Sequence, residues 1–147
     1  MSAVRRAAGV VAFRRDHGEW RCLMLRAYRN WDFPKGELQP GEDPLAAAHR
    51  ELSEETTLDE VSMPWGAGYC ETAPYGGKIA RYYIAESRDG VVSLPVSPEL
   101  GRPEHHEFRW VTLAEARVLA PARLQPILVW AARMLGEGSH PAESPAA

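Results

Sequence analysis

Apolar positions near the N-terminus gather into two blocks, Ala7 to Arg14 and Trp20 to Tyr28, that read as β-strands. Asp16-His17-Gly18-Glu19 between them is a turn signal, so the pair forms a hairpin. The pattern then changes. Phe33-Pro34-Lys35-Gly36 is held extended by its proline, and Pro40-Gly41 turns the chain. Asp43 followed by Pro44 is a helix start, with a capping carboxylate and proline at the first helical position. The predicted helix runs from Pro44 to Thr56, with Leu45, Ala48, His49 and Leu52 on one face and Glu51, Glu54 and Glu55 on another. Trp65 to Thr72, Lys78 to Glu86 and His106 to Val111 read as further strands. Thr112 caps a short helix through Leu119, and Arg123 to Leu135 forms a last amphipathic helix that Pro126 delays or kinks.

Strands interleaved with one central and one terminal helix predict an α/β sandwich, a mixed sheet covered on both faces. With 147 residues and 45% apolar content the chain suits one domain, residues 1–136, followed by a Gly-, Ser-, Pro- and Ala-rich tail, residues 137–147, expected to be disordered. There is no internal repeat. A net charge of −3 argues against broad binding of nucleic acid and leaves anionic substrates to be attracted locally. Fifteen of the 17 basic residues are arginine, yet both lysines, Lys35 and Lys78, fall in segments assigned below to the site, where a compact ammonium is useful. Cys22 and Cys70 lie in strand-like runs without zinc or redox spacing, so they read as thiols of a reducing, cytoplasmic compartment. No stretch approaches the ~20 apolar residues of a membrane span, and the short run after Arg5-Arg6 lacks a cleavage site.

The segment from Gly36 to Leu58, with five glutamates and one arginine, carries the chemistry. Gly36 is followed after five residues by Glu42 and after seven more by Arg50-Glu51-Leu52-Ser53-Glu54-Glu55-Thr56-Thr57-Leu58. On a helix, Glu51, Glu54 and Glu55 stand at i, i+3 and i+4, so their carboxylates repel and call for a cation. Hard oxygen donors with substrate phosphates completing the shell suit Mg²⁺ or Mn²⁺.

This constellation resembles the Nudix box, the signature of hydrolases that cleave nucleoside diphosphates linked to another moiety. The match fails at one position: Thr57 stands where the family has glycine. A β-branched residue enters the left-handed conformation of that glycine only at a cost, so the helix exit is expected to be built differently. The resemblance implies a Nudix-type α/β/α sandwich. It also implies a metal site drawing on Glu51, Glu54, Glu55 and the Gly36 carbonyl, with Arg50 orienting a carboxylate. Glu104, in Glu104-His105-His106-Glu107-Phe108-Arg109-Trp110, is similar to an extra metal-binding or base glutamate, with Glu107 as its competitor. The general base is either Glu51 or Glu104. His105 and His106 read as a polar loop entering a strand rather than as ligands, and Trp110 as core.

The stretch Trp31 to Gly36, the strand Lys78 to Glu86 and the Glu104 loop together resemble the asymmetric dinucleoside tetraphosphate hydrolase branch. That implies Tyr82 stacking on adenine, with Lys35 and Lys78 reaching phosphate. The expected reaction converts diadenosine tetraphosphate to ATP and AMP, with a small nucleotide substrate and neither membrane nor stable nucleic-acid partner. Nucleoside triphosphates, RNA 5′ ends and nucleotide sugars are the alternatives within the same chemistry. A non-catalytic nucleotide-binding domain is the alternative outside it.

Overall fold

In the computed structural model, residues 4–136 are described; the expected tail, residues 137–147, lies outside them. Seven strands build one mixed sheet: β1 (Arg5–Asp16), β2 (Glu19–Ala27), β3 (Asn30–Asp32), β4 (Lys35–Glu37), β5 (Tyr69–Glu71), β6 (Lys78–Glu86) and β9 (Glu107–Val111). A two-residue ribbon, β7 (Val96–Ser97) with β8 (Arg102–Pro103), stands apart from it. The helices are α1 (Pro44–Thr56), α2 (Leu113–Leu119) and α3 (Gln125–Leu135), the last entered through a 3₁₀ turn at Ala122–Leu124.

β1 is the central strand. It runs parallel to β6 from Arg5↔Lys78 to Phe13↔Glu86, and its other edge is shared between two partners. Phe13–Asp16 form the hairpin with β2, while Ala7–Gly9 pair antiparallel with β4. Successive β1 residues point to opposite faces, and both faces are buried, which explains the unbroken apolar run. Ala7, Val11 and Phe13 pack with Met24, Tyr82 and Ile84 against Leu124, Ile127 and Leu128 of the α3 layer. Ala8, Val10 and Ala12 pack with Leu23, Leu25 and Tyr83 against Ala47, Ala48 and Leu52 of α1. The result is the expected α/β/α sandwich.

α1 begins and ends at the predicted residues. The Asp43 carboxylate accepts hydrogen bonds from the backbone N–H groups of Leu45 and Ala46 at 3.0 and 3.1 Å. Its exit corrects the sequence reading, because Thr57 does adopt the left-handed conformation, with φ 66° and ψ 8°. The Thr57 N–H closes the last turn on the Ser53 carbonyl at 2.9 Å, and its hydroxyl donates to the Val91 carbonyl at 3.2 Å. The family's helix exit is therefore kept, at a steric cost of roughly 1–2 kcal/mol. Glycine would remove that cost but add unfolded-state entropy of about 0.5–1 kcal/mol. Thr57→Gly is expected to raise stability by a few tenths of a kcal/mol up to about 1 kcal/mol in urea titration; a clear loss would show that the hydroxyl contacts outweigh the strain.

Other boundaries moved for physical reasons. The strand predicted over Trp65 to Thr72 shrinks to Tyr69–Glu71 because only those residues pair with β6. β3, β7 and β8 are too short to leave a periodic signal in sequence. Pro126 sits in the first turn of α3, where its missing N–H costs nothing, and the preceding 3₁₀ turn takes up Arg123.

Candidate active site

The β1–β4 pairing places Gly36 directly beneath α1. A Cβ added at Gly36 would meet the Glu51 carboxyl carbon at 2.1 Å, so only glycine lets that side chain lie against the strand. Gly36→Ala is expected to leave the fold intact, displace Glu51 and reduce kcat by about 10²-fold, measured alongside a circular-dichroism melt.

Arg50 ties the acidic face together. Its Nε and Nη2 donate to the two Glu42 oxygens at 2.8 and 2.9 Å, its Nη1 donates to Glu51 at 2.9 Å and to Glu54 at 3.1 Å, and Nη2 also reaches the Glu37 carbonyl at 3.2 Å. The paired hydrogen bonds from Arg50, then the Gln39 N–H, hold the Glu42 carboxyl down to about 2. Reciprocally, Glu42 raises Arg50 above its ordinary value.

Glu51, Glu54 and Glu55 occupy three different environments. Glu54 is exposed, with 57% of its side chain open to solvent, whereas Glu51 keeps only 13%. Burial raises the Glu51 pKa, and Arg50 offsets part of that rise. Glu55 is 9% exposed, with one oxygen accepting the Lys35 N–H at 3.2 Å. Burial first, then the charges of Glu104 and Glu51, push its pKa well above the carboxylate range. The three glutamates share one face of α1, as predicted, but that face is not wholly apart from the core: they run from solvent at Glu54 to the buried Glu55.

A cleft of about 990 Å³ joins these groups to Gly36, Lys35, Lys78, Glu104 and His105, with the 94–99 segment as the facing wall. Glu107 points elsewhere, accepting from Arg26 and Arg109 at 2.9 and 2.7 Å, so Glu104 is the glutamate of that loop in the cleft. Ligand atoms of Glu55, Glu104 and His105 lie within 4.8 Å of one another. This donor set, crowded with like charges and open to the cleft, fits a divalent cation.

Lys35 and Lys78 line the same cleft, with Lys78 Nζ 3.9 Å from Glu37. Lys35 Nζ lies 3.4 Å from Asp32; burial lowers its pKa, but Asp32, Tyr75 and Glu55 outweigh that and the net shift is upward. Lys78 is lowered, by burial and then by Lys35.

A sequence model of the NUDIX domain matches residues 3–131. The chain belongs to the Nudix family. The asymmetrical bis(5′-nucleosyl)-tetraphosphatase of Mus musculus is 33% identical over 128 residues, covering 78% of this chain and 84% of that one. The RNA pyrophosphohydrolase of Bartonella bacilliformis is 27% identical over 134 residues, covering 74% and 78%. Among solved structures, a C. elegans Ap4A hydrolase binary complex is similar at a TM-score of 0.73 and 27% identity, covering 90% of this chain and 99% of that one. The protein is accordingly a Nudix pyrophosphohydrolase, and its resemblance to the asymmetric dinucleoside tetraphosphate hydrolases extends from sequence to fold.

One assignment within the Nudix site is corrected. Tyr82 is fully buried, its ring packed edge-on against Phe33 at 5.6 Å and its hydroxyl donating to Asp32 at 2.9 Å, so it has no face on which a base could stack. Tyr83 is 4% exposed on the opposite face of the sheet. Both rings of the alternating pair serve the core. Trp110, expected in the core, packs partly buried against the α1-side cluster.

Other residues act in or beside the Nudix cleft, and of these Asp32, Arg123 and Tyr28 were not among the expected site residues. Asp32 accepts from Tyr82 and from Arg123 Nη2 at 2.8 Å while it faces Lys35, so it fixes the lysine's position. Asp32 stands three residues before Lys35 and was legible; Arg123, some ninety residues later, gave no local signal. His105 lines the cleft rather than only entering a strand, and burial lowers its pKa. Tyr28, 65% exposed, stands edge-on to His106 at 4.7 Å.

Proposed function

We propose that this Nudix hydrolase cleaves diadenosine tetraphosphate, or a longer polyphosphate homologue, to ATP and a second nucleotide, AMP in the parent case. The observation that carries this reading is the cleft itself, which sets Glu51, Glu54, Glu55 and Glu104 against Lys35 and Lys78 in a volume at the upper end for small-ligand sites. The tetraphosphatase relative and the C. elegans neighbour support the choice of substrate.

Water adds across one P–O–P bridge. Its oxygen bonds to phosphorus, the bridging oxygen leaves with one nucleotide, and the proton passes to a carboxylate. Glu51 takes that proton, since it lies in the cleft, is largely buried and is held in place by Arg50, with burial raising its pKa. Lys35 and Lys78 bind phosphate oxygens of the chain. Glu54, Glu55, Glu104 and the Gly36 carbonyl would hold Mg²⁺ or Mn²⁺, which when bound supplies charge neutralisation and a more acidic water. With Tyr82 buried, the exposed Tyr28 ring beside the Glu104 loop offers the face on which a base can stack, at ~1–3 kcal/mol. Among the described residues no helix is long and apolar enough to cross a membrane.

The test is product chromatography after incubation with Mg²⁺ and diadenosine tetraphosphate, nucleoside triphosphates, ADP-ribose and a triphosphorylated oligoribonucleotide. ATP plus AMP from the first substrate at the highest kcat/KM is the expected result. A preference for the oligoribonucleotide, the direction in which the Bartonella relative points, would replace the substrate and keep the chemistry.

A further inference from the structure

We propose that His105 is itself a metal ligand, completing with Glu55 and Glu104 a mixed carboxylate–imidazole position that favours Mn²⁺, Co²⁺ or Zn²⁺ over Mg²⁺. The proposal rests on the reading of this cleft as a metal site and adds to it a donor that the box glutamates do not supply.

The backbone aims His105 into the cleft. Its neighbour His106 is fixed to the end of β2, where the His106 N–H donates to the Arg26 carbonyl at 2.7 Å and the His106 Nδ1 accepts from the Tyr28 N–H at 3.1 Å. His106 is thus tied to β2, while His105 lines the cleft with Glu104.

There its ring stands beside the Glu55 and Glu104 carboxylates. Among the described residues neither Glu104 nor the His105 ring makes a hydrogen bond to another residue. Glu55, nine-tenths buried, uses one oxygen for the Lys35 N–H, and among the described residues no hydrogen bond reaches the other. The three side chains bring their ligand atoms within 4.8 Å of one another, a spacing that a shared cation would tighten. Histidine in a polar loop ordinarily faces solvent or a carbonyl; here it completes a three-donor cluster. An imidazole nitrogen among carboxylates shifts preference along the divalent series away from Mg²⁺ and toward the first-row transition ions.

Pulsed electron paramagnetic resonance of the full chain loaded with Mn²⁺ tests this directly, because a coordinated imidazole imprints a ¹⁴N modulation on the echo. The modulation is expected in the wild type, should change character when the protein is made with ¹⁵N-histidine, and should vanish in His105→Ala while surviving in His106→Ala. In parallel, Mn²⁺ affinity by titration calorimetry should fall by roughly tenfold or more in His105→Ala, with a smaller change for Mg²⁺. Mn²⁺ bound without nitrogen modulation would overturn the His105 assignment and leave the glutamate site standing. Failure to bind Mn²⁺ at all would overturn both. His105 bears no hydrogen bond within the fold, so its replacement does not threaten folding, and the isotope experiment needs no substitution.

Discussion

Glu51→Gln is expected to lower kcat by about 10³-fold or more with the fold preserved. The amide keeps the volume of the carboxyl and can still accept from Arg50, which now donates at 2.9 Å, and it still fits over Gly36. What it loses is the capacity to take a proton. Glu54→Gln provides the contrast. Glu54 is exposed and tied to Arg50 only by an i,i+4 contact worth a few tenths of a kcal/mol, so under the proposed function its contribution lies in holding the cation. It too should cost orders of magnitude at ordinary metal concentrations, yet part of that loss should return as Mn²⁺ is raised. Steady-state kinetics across an Mn²⁺ titration separates the two. A Glu51→Gln defect that recovers as fully as that of Glu54→Gln would reassign Glu51 to metal binding, and undiminished turnover would remove it from the reaction.

The contrast between these two glutamates was invisible in sequence, although their presence was not. Spacing alone put Glu51, Glu54 and Glu55 on neighbouring helical positions and gave both ends of α1, since capping by Asp43 and the i, i+3, i+4 rule are local. Burial is not local. Glu55 enters the core because β4 inserts beside β1, a pairing between residues some thirty positions apart, and no window along the chain reports it. Tyr82 failed for the same reason: an alternating strand says that two adjacent tyrosines point opposite ways, but only the helices packed on both faces show that neither ring is exposed. Thr57 teaches the reverse lesson. Its intrinsic dislike of the left-handed region was read correctly, and the surrounding fold imposed that conformation anyway. His105 was visible beside Glu104 in the sequence, but its place in the cleft depends on how that loop meets α1.

The buried position of Glu55 leads to the second large effect, on stability. Its folded pKa stands well above the ordinary value of 4.5, through burial first and then Glu104 and Glu51. The folded chain therefore holds this proton more tightly than the unfolded chain does. It follows that the metal-free protein loses stability as pH rises from about the unfolded pKa toward the folded one. Glu51 shifts in the same direction. Glu42 works oppositely, but its contribution is complete above its ordinary pKa and is lost only as pH falls toward about 2. His105, lowered by burial, also opposes the trend, gaining stability as pH rises toward its ordinary value, so a comparison of variants is needed to isolate Glu55. Glu55→Gln can keep its acceptor for the Lys35 N–H and removes the buried charge. In EDTA at pH 7.5 the variant is expected to be more stable than the wild type by about 1–2 kcal/mol, or several degrees in Tm, and the difference should close as pH approaches the ordinary carboxylate range. Millimolar Mn²⁺ should reverse the order, because only the wild type presents the full anionic cluster, and the gain from binding should be larger at pH 7.5 than at pH 5, where protons compete for the same oxygens. Thermal melts at the two pH values, with EDTA or Mn²⁺, read all four comparisons. A wild type already more stable than Glu55→Gln in EDTA at pH 7.5 would mean that Glu55 is stabilised by the fold itself, and the cation would lose its role in offsetting the charge.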